Sequence, residues 1–443
     1  MSQPNLSPTS DPPHVVIIGA GFGGLEAAKA LKNAPVQVTL IDRNNYHKFQ
    51  PLLYEVAMAG LEPDDIAHNV RNIFQGNETV HFQLGTVTSV DTDAQMVHLK
   101  GSAPVSYDYL IGAAGAVSND FGIPGVREHG FPLKNVPDAV NLRNHILRQF
   151  ERHDRKKAQA GTLNFVIVGG GPTGVEMAGA LVELFDTLNG DFAEFRPREQ
   201  ARCILLEMQD DLLPPYEKPQ RDYTRRVLEE RGVEVLTNTA VERVEEEAVH
   251  LNDGSMIPTQ TLIWAAGVKA SPVADMFGVE QSRDGRVIVQ RDLCVPGHPE
   301  VFAIGDMAAI DGEEGYEPQL AQVALQSGRH AAEQIRRDMR GGTREAFSYS
   351  NYGQMATIGR NAAVAELAGG LAFRGVFAWL IWVFIHIAKL VGFRNRASAL
   401  VNWAYNYVTY NRSARLILDV VPIDDDIPME VEEMGQEVKA EMA

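Results

Sequence analysis

Two runs of consecutive apolar β-formers stand out from the hydrophobic pattern of this chain, Val15-Val16-Ile17-Ile18 and Phe165-Val166-Ile167-Val168. Neither alternates with polar residues, as suits strands buried on both faces of a parallel sheet. Each run breaks into a glycine turn, Gly19-Ala20-Gly21-Phe22-Gly23-Gly24 in the first case and Gly169-Gly170-Gly171-Pro172-Thr173-Gly174 in the second. Each turn opens onto an amphipathic stretch, Leu25 to Leu31 and Val175 to Leu184. Strand, turn and helix are thus predicted twice, 150 residues apart. A further strand, Gln37 to Ile41 closing on Asp42, follows the first unit, and Arg202 to Leu206 closing on Glu207 follows the second. Short alternating runs from Thr79 to Lys100 predict a small antiparallel sheet.

The turns carry the spacing G-x-G-x-x-G between strand and helix, where the fingerprint has a physical meaning. The first glycine permits the tight turn, the second lets the backbone approach a pyrophosphate, and the third lets helix and strand pack closely. Unpaired N–H groups at the helix start then face the anion. Two such turns in context imply two dinucleotides on one chain. Asp42 lies 18 residues past Gly24, near the spacing of a carboxylate that binds a ribose hydroxyl, although acidic turn residues are common. Arg43 beside it is placed near the adenine or the phosphates. Glu207 comes 33 residues past Gly174, after a stretch from Gly190 to Gln200 that reads as an inserted loop. A carboxylate there pairs with a free 2′-hydroxyl and repels a 2′-phosphate, which favours NADH over NADPH.

A second repeat reinforces the first. Tyr109-Leu110-Ile111-Gly112-Ala113-Ala114-Gly115 returns 152 residues later as Thr261-Leu262-Ile263-Trp264-Ala265-Ala266-Gly267. Duplication of a whole module explains both spacings. The first module is then interrupted by the second and completed at Val301-Phe302-Ala303-Ile304-Gly305-Asp306. The expected fold is therefore α/β, with two Rossmann-like dinucleotide-binding domains, the second inserted in the first. The expected divisions are a disordered leader (1–13), a first domain (14–125 and 296–345), a second (126–295), a C-terminal region (346–418) and an acidic tail (419–443).

Composition narrows the function classes. The formal charge of −18 argues against a nucleic-acid partner, which needs clustered Lys and Arg. Only Cys203 and Cys294 are present, so there is no CxxC pair, disulfide framework or structural zinc spacing. Redox chemistry carried by cysteines is thereby disfavoured, and no metal site is expected. The first dozen residues lack the charged-then-apolar pattern of a secretory signal. Charge is unevenly spread: Phe373 to Leu418 holds six Arg or Lys and no acid, whereas Asp419 to the end holds nine acids and one Lys. Gly375 to Phe393 is the most apolar stretch, but its uncharged run is 11 residues, short of the roughly 20 that span a bilayer. With Trp379, Trp382, Trp403, Tyr405, Tyr407 and Tyr410 nearby, the region reads as amphipathic helices in an anionic membrane interface. A core or dimer interface is the plainer alternative.

Three further segments make the likeness specific: Asn44 to Gly60 (NNYHKFQPLLYEVAMAG), Ala321 to Gln326 (AQVALQ) and Met355 to Ala365 (MATIGRNAAVA). Together with the two modules they resemble type II NADH dehydrogenases, the single-subunit, non-pumping NADH:quinone oxidoreductases, over residues 14 to 418. The resemblance implies FAD in the first module, held by Gly19, Gly21, Phe22, Gly23, Gly24, Asp42, Arg43, Ala114, Gly115, Gly305, Asp306, Ala321 and Gln322. It implies NADH in the second, at Gly169, Gly171, Pro172, Thr173, Gly174, Glu176, Glu207, Ala266 and Gly267. Glu176 and its counterpart Glu26 are expected in the first turns of their helices, where an acid can also be a plain dipole partner. Glu176, Gln322 and Gln326 are the implied catalytic residues, with both glutamines at the quinone. Pro318 is expected in the first turn of the helix carrying them, and their spacing of four puts them on one face. His47 and Lys48 are left open between flavin neighbours and surface residues. The implied reaction passes hydride from NADH to FAD and two electrons to ubiquinone or menaquinone. The implied setting is a homodimer peripheral to the cytoplasmic face of the cell membrane or an equivalent organelle inner membrane. The rival readings are a flavin reductase for a soluble protein acceptor and an NADH-sensing binding protein.

Overall fold

The computed structural model describes residues 12–156, 159–313, 315–391, 396, 398, 400–401 and 414–418. The leader up to residue 11, the aromatic positions Trp403 to Tyr410 and the acidic tail from Asp419 lie outside the described residues.

Both apolar runs are central strands. The first sheet runs in the order Cys294–Val295, His298–Ala303, Tyr109–Gly112, His14–Ile18, Gln37–Asp42, Val80–Leu84. All pairs are parallel except the edge hairpin Cys294–Val295 with His298–Ala303. The second sheet is wholly parallel, in the order Gly130–Pro132, Thr261–Trp264, Asn164–Val168, Arg202–Leu206, Val233–Leu236. The chain thus leaves the first sheet after Gly112, builds the second, and re-enters the first at Cys294. Val15 to Ile17 and Phe165 to Ile167 are wholly buried, as the unbroken apolar runs require. Each module also carries a three-stranded antiparallel sheet, at Val87–Asp91, Met96–Leu99 and Val105–Ser106 in the first and at Val241–Glu245, Ala248–Leu251 and Met256–Pro258 in the second. The expectation for Thr79 to Lys100 is corrected here: its first run, Val80–Leu84, pairs in parallel with Gln37–Asp42, and only the later runs are antiparallel. Alternation describes a half-covered strand and does not choose its partner. Ala116–Ser118 pairs antiparallel with Val268–Ala270 and bridges the two modules.

Two helices cover one face of the first sheet, Phe22–Leu31 and Ala321–Met339. They touch at glycines: a Cβ on Gly328 would lie 2.3 Å from the Gly23 carbonyl oxygen. Past the modules, strands Gly353–Gly359, Ala362–Leu367 and Leu371–Arg374 form an antiparallel sheet. It rests on the second-module helix Pro172–Leu188, where a Cβ on Gly179 would lie 2.2 Å from the Ile358 carbonyl oxygen. Helix Val376–Lys389 follows. Its inner face is small or anchored, with Ala378 on Ala363 and Ala365, and Trp382 buried. Its outer face exposes Val376 (51%), Phe377 (71%), Leu380 (52%) and Phe384 (73%). No helix among the described residues is long and apolar enough to cross a membrane. Both cysteines are buried, and burial pushes the Cys203 thiol far above its ordinary range.

Candidate functional site

The two glycine turns repeat one another atom for atom in their packing. At Gly24 and at Gly174 an added Cβ would lie 1.8 Å from the carbonyl oxygen of Gly19 or Gly169, so neither position admits a side chain. At Gly21 and Gly171 an added Cβ would meet no protein atom within 4 Å. That is open space beside a helix start, which a ligand can enter. Asp42 accepts N–H bonds from Ala20 (2.7 Å) and Asn44 (2.7 Å). Glu207 does the same in the second module, from Gly170 (2.6 Å) and Gln209 (2.8 Å). Each carboxylate is thus pinned beside its turn, and each still has acceptor capacity for a sugar hydroxyl.

A cleft of about 2250 Å³ collects most of the expected first-module residues. Gly19, Gly21, Phe22, Gly23, Asp42, Arg43, Ala114, Gly115, Gly305, Asp306, Ala321 and Gln322 line it, joined by Gln326 and by Pro172, Thr173 and Glu176 of the second module. Gly24 is spent on packing. Gly169, Gly171, Gly174, Glu207, Ala266 and Gly267 are not among its lining; Gly169 abuts Ala265 and Ala266, Glu207 bonds beside the turn, and Gly174, like Gly24, is spent on packing. The residues present fit a long, jointed dinucleotide: a bare glycine cradle at one end, a carboxylate at Asp42, and a second carboxylate at Asp306 after a buried strand. Burial raises the Asp306 carboxyl above its usual value, against the pull of Lys134, Arg286 and Lys48.

Three local expectations shift. Glu176 is the fifth residue of its helix and Glu26 the fifth of the other, so both stand just past the first turn in which they were expected. The helices begin at once after Gly21 and Gly171, which act as the N-caps. Pro318 does not open the glutamine helix, which starts at Ala321 after an extended Leu320. Gln322 and Gln326 do share a face, but each amide is already used on backbone. Gln322 donates to Gly353 O (2.7 Å) and accepts from Tyr352 N (3.1 Å), and Gln326 donates to Ser350 O (2.9 Å) and accepts from Ser350 N (3.0 Å). Each retains one free amide hydrogen.

Glu176 faces the cleft where the second module meets the C-terminal region. Burial, with Glu55 adding to it, raises its carboxyl to about 8, against the Thr357 N–H (3.4 Å) and the Trp382 side chain, which favour the charged form. Residues far apart in the chain close this end of the site, and no local pattern marks them. Trp382 stacks on His386 at 4.1 Å, His386 meets Phe49 edge-on at 6.0 Å, and Phe49 meets Phe22 at 5.8 Å. His386 donates to Trp382 O (2.7 Å), and burial lowers its imidazole to about 4. His47 is not a surface residue: it is buried, donates to Ala20 O (2.8 Å), and burial lowers it to about 4. Lys48 and Lys134 also line the cleft. Lys134 had one legible signal, the capping pair Asn135 and Asp138 that starts helix Val136–Asp154 beside it.

Two dinucleotide modules, one nested in the other and meeting at a common cleft, define a class, and residues 13–328 match the pyridine nucleotide-disulphide oxidoreductase family of flavoproteins. Residues 352–410 match the NDH2 C-terminal domain. The chain is 42% identical over 414 residues to the type II NADH:quinone oxidoreductase NdhA of Mycobacterium tuberculosis, covering 89% of this chain and 87% of that one. It is 30% identical over 365 residues to the type II NADH:quinone oxidoreductase of Staphylococcus aureus, covering 80% and 90%. The structure of NDH2 from Plasmodium falciparum in complex with NADH shares its fold, with a TM-score of 0.83 at 21% identity over 92% of this chain and all of that one. The chain belongs to the type II NADH:quinone oxidoreductase family.

Proposed function

We propose that this flavoprotein oxidises NADH and reduces a membrane quinone, with FAD in the first module. Bound FAD supplies the redox chemistry, accepting hydride from NADH and delivering two electrons to quinone. The single observation that carries the reading is the shared cleft, lined by the first glycine turn, Asp306, the start of the glutamine helix and Pro172 to Glu176 of the second module. Gly19 to Gly24 and Asp42 receive the adenosine half of the cofactor, and Asp306 its ribityl hydroxyls. Gly169 to Gly174, Glu207, Ala266 and Gly267 receive NADH, whose nicotinamide end enters the cleft past Pro172 and Thr173. Glu176, neutral near pH 7, is a proton-holding group at that end. Quinone approaches near Gln322 and Gln326, each of which has one amide hydrogen left to donate.

The exposed Val376, Phe377, Leu380 and Phe384 form an apolar stripe on the C-terminal helix. At 14 residues, about 21 Å long, this helix lies in an interface and does not cross it. Membrane docking on this stripe, on the cytoplasmic face, brings the cleft to a lipid-soluble acceptor, and the protein acts there as a homodimer. Because Cys294–Val295 is an edge strand of the first sheet, the expected boundary at 295/296 moves back, giving FAD at 14–125 and 294–345, NADH at 126–293, and membrane and dimer contacts at 346–418. The test is anaerobic reduction of the purified protein by NADH, followed by a quinone analogue, with flavin absorbance as the readout. Bleaching and then recovery is expected. Bleaching without recovery would replace quinone by a protein acceptor, and the lack of a flavin band would overturn the proposal.

A further inference from the structure

Two lysines, Lys48 and Lys134, line the cleft together with the first glycine turn. Lys48 ends the strand Tyr46–Lys48, which is tied to the first glycine turn by His47 bonding to Ala20 O at 2.8 Å. Lys134 stands just before the helix Val136–Asp154. The Lys48 ammonium donates to the Lys134 carbonyl, and both residues line the same cleft. No side chain among the described residues accepts a hydrogen bond from Lys134 Nζ. Asp306 draws Lys134 electrostatically without a hydrogen bond to it among the described residues, and two other nearby carboxylates are engaged elsewhere. Asp138 accepts from the Lys134 N–H (2.9 Å) and the Asn135 N–H (3.0 Å), and Asp42 accepts from Ala20 and Asn44. Two half-buried ammonium groups in one cleft, each lacking a bonded carboxylate, are costly unless an anion joins them. Burial and mutual repulsion lower Lys48 to about 8, and burial lowers Lys134.

The charges that line the cleft say which anion fits. Asp42, Lys48, Lys134 and Asp306 all face this one space, and Asp138 draws both lysines from outside it. Two carboxylates and two ammoniums in one cleft match a polyol–diphosphate–polyol: ribose hydroxyls at Asp42, two phosphates at the lysines, ribityl hydroxyls at Asp306. We propose that Lys48 and Lys134 form a diphosphate clamp, which holds the two phosphates of the dinucleotide cofactor beside the first glycine turn. This rests on the reading that FAD occupies the first module.

The test is the rate of FAD release from the holoenzyme after dilution at low ionic strength, read as the rise of free-flavin fluorescence. Lys134→Met removes a charge that bonds to no other side chain, and Lys48→Gln keeps a donor for the Lys134 carbonyl without the charge. Each is expected to speed release at least about tenfold, the scale of one charged hydrogen bond. Arginine at either position is expected to keep release slow, and the flavin midpoint potential is expected to stay at the wild-type value. Release within twofold of wild type in either folded variant overturns the clamp. So does a moved potential with unchanged release, which would put the lysines on the ring. If Lys134→Met lacks a native circular dichroism spectrum, Lys48→Gln decides alone. A wild-type protein without flavin would overturn the functional reading itself. A yellow wild type with unaffected variants overturns the clamp only.

Discussion

Replacing Glu176 by Gln turns the environment of one buried carboxyl into a measurable pH profile. Burial raises this group from 4.5 to about 8, so the folded protein keeps a proton that the unfolded chain releases above pH 4.5. Between those limits the folded state binds more protons than the unfolded state. Stability therefore falls as pH rises through that window and levels off above about 8. Each pH unit in the window costs ~1.4 kcal/mol, which bounds the whole penalty at about 5 kcal/mol. Relaxation around the group brings the expected value to about 2–5 kcal/mol. Glutamine matches the size of the side chain, can still accept from the Thr357 N–H, and cannot ionise. Wild type and Glu176→Gln should thus differ by less than about 1 kcal/mol near pH 5, with the variant ahead by about 2–5 kcal/mol at pH 8. For a chain of this length that is a melting-temperature gain of about 2–5 °C. Calorimetry of both proteins at pH 5 and pH 8 checks it. Parallel pH profiles would refute the argument, because they would mean that Glu176 is already charged in the folded protein.

Four further outcomes follow from the geometry. Gly21→Val should fold normally but purify without flavin, whereas Gly24→Ala should fail to fold because its Cβ meets Gly19 O at 1.8 Å; circular dichroism and flavin absorbance separate the two, and a fully flavinylated Gly21→Val would contradict the cradle. Gln322→Ala and Gln326→Ala each lose two hydrogen bonds and should raise amide exchange at Tyr352 and Ser350 by ~10-fold or more, so unchanged protection would show that the connector holds itself. Phe377→Asp with Phe384→Asp should leave the melting temperature within a few degrees, since both are over 70% exposed, while abolishing sedimentation with anionic vesicles; retained binding would move the membrane contact elsewhere. Glu207 should give a kcat/KM for NADH at least about tenfold above that for NADPH, and equal values would remove its role in selection.

Much of the site was legible because a dinucleotide cradle is a local device. Its demands fall on adjacent residues: a turn at Gly19, open space at Gly21, contact at Gly24, and a carboxylate at the end of the next strand. The second turn follows the same rules, and Gly169 to Gly174 and Glu207 repeat the bonding of the first set. Helix starts were less legible. Pro318 looked like a first-turn proline, yet the helix waits until Ala321, because Gln319 is drawn to Asp306 O at 2.8 Å and Leu320 stays extended. Lys48, Trp382 and His386 carry no pattern at all and Lys134 only the capping pair beside it, since their roles come from neighbours 80 or more residues away.

The two modules, their nesting, the nucleotide-facing glycines and the basic apolar C-terminal stretch are all written in the residue order, because each rests on short-range spacing or composition. Tertiary structure alone decided which of these surfaces share one cleft. It brought Glu176 to Thr357, spent the amides of Gln322 and Gln326 on the connector, and set Lys48 and Lys134 in one cleft with Asp42 and Asp306. Those outcomes depend on what packs against what, and burial is a property of the assembled fold. A carboxyl at position 176 is ordinary in the unfolded chain and is pushed to about 8 only when three distant segments close over it.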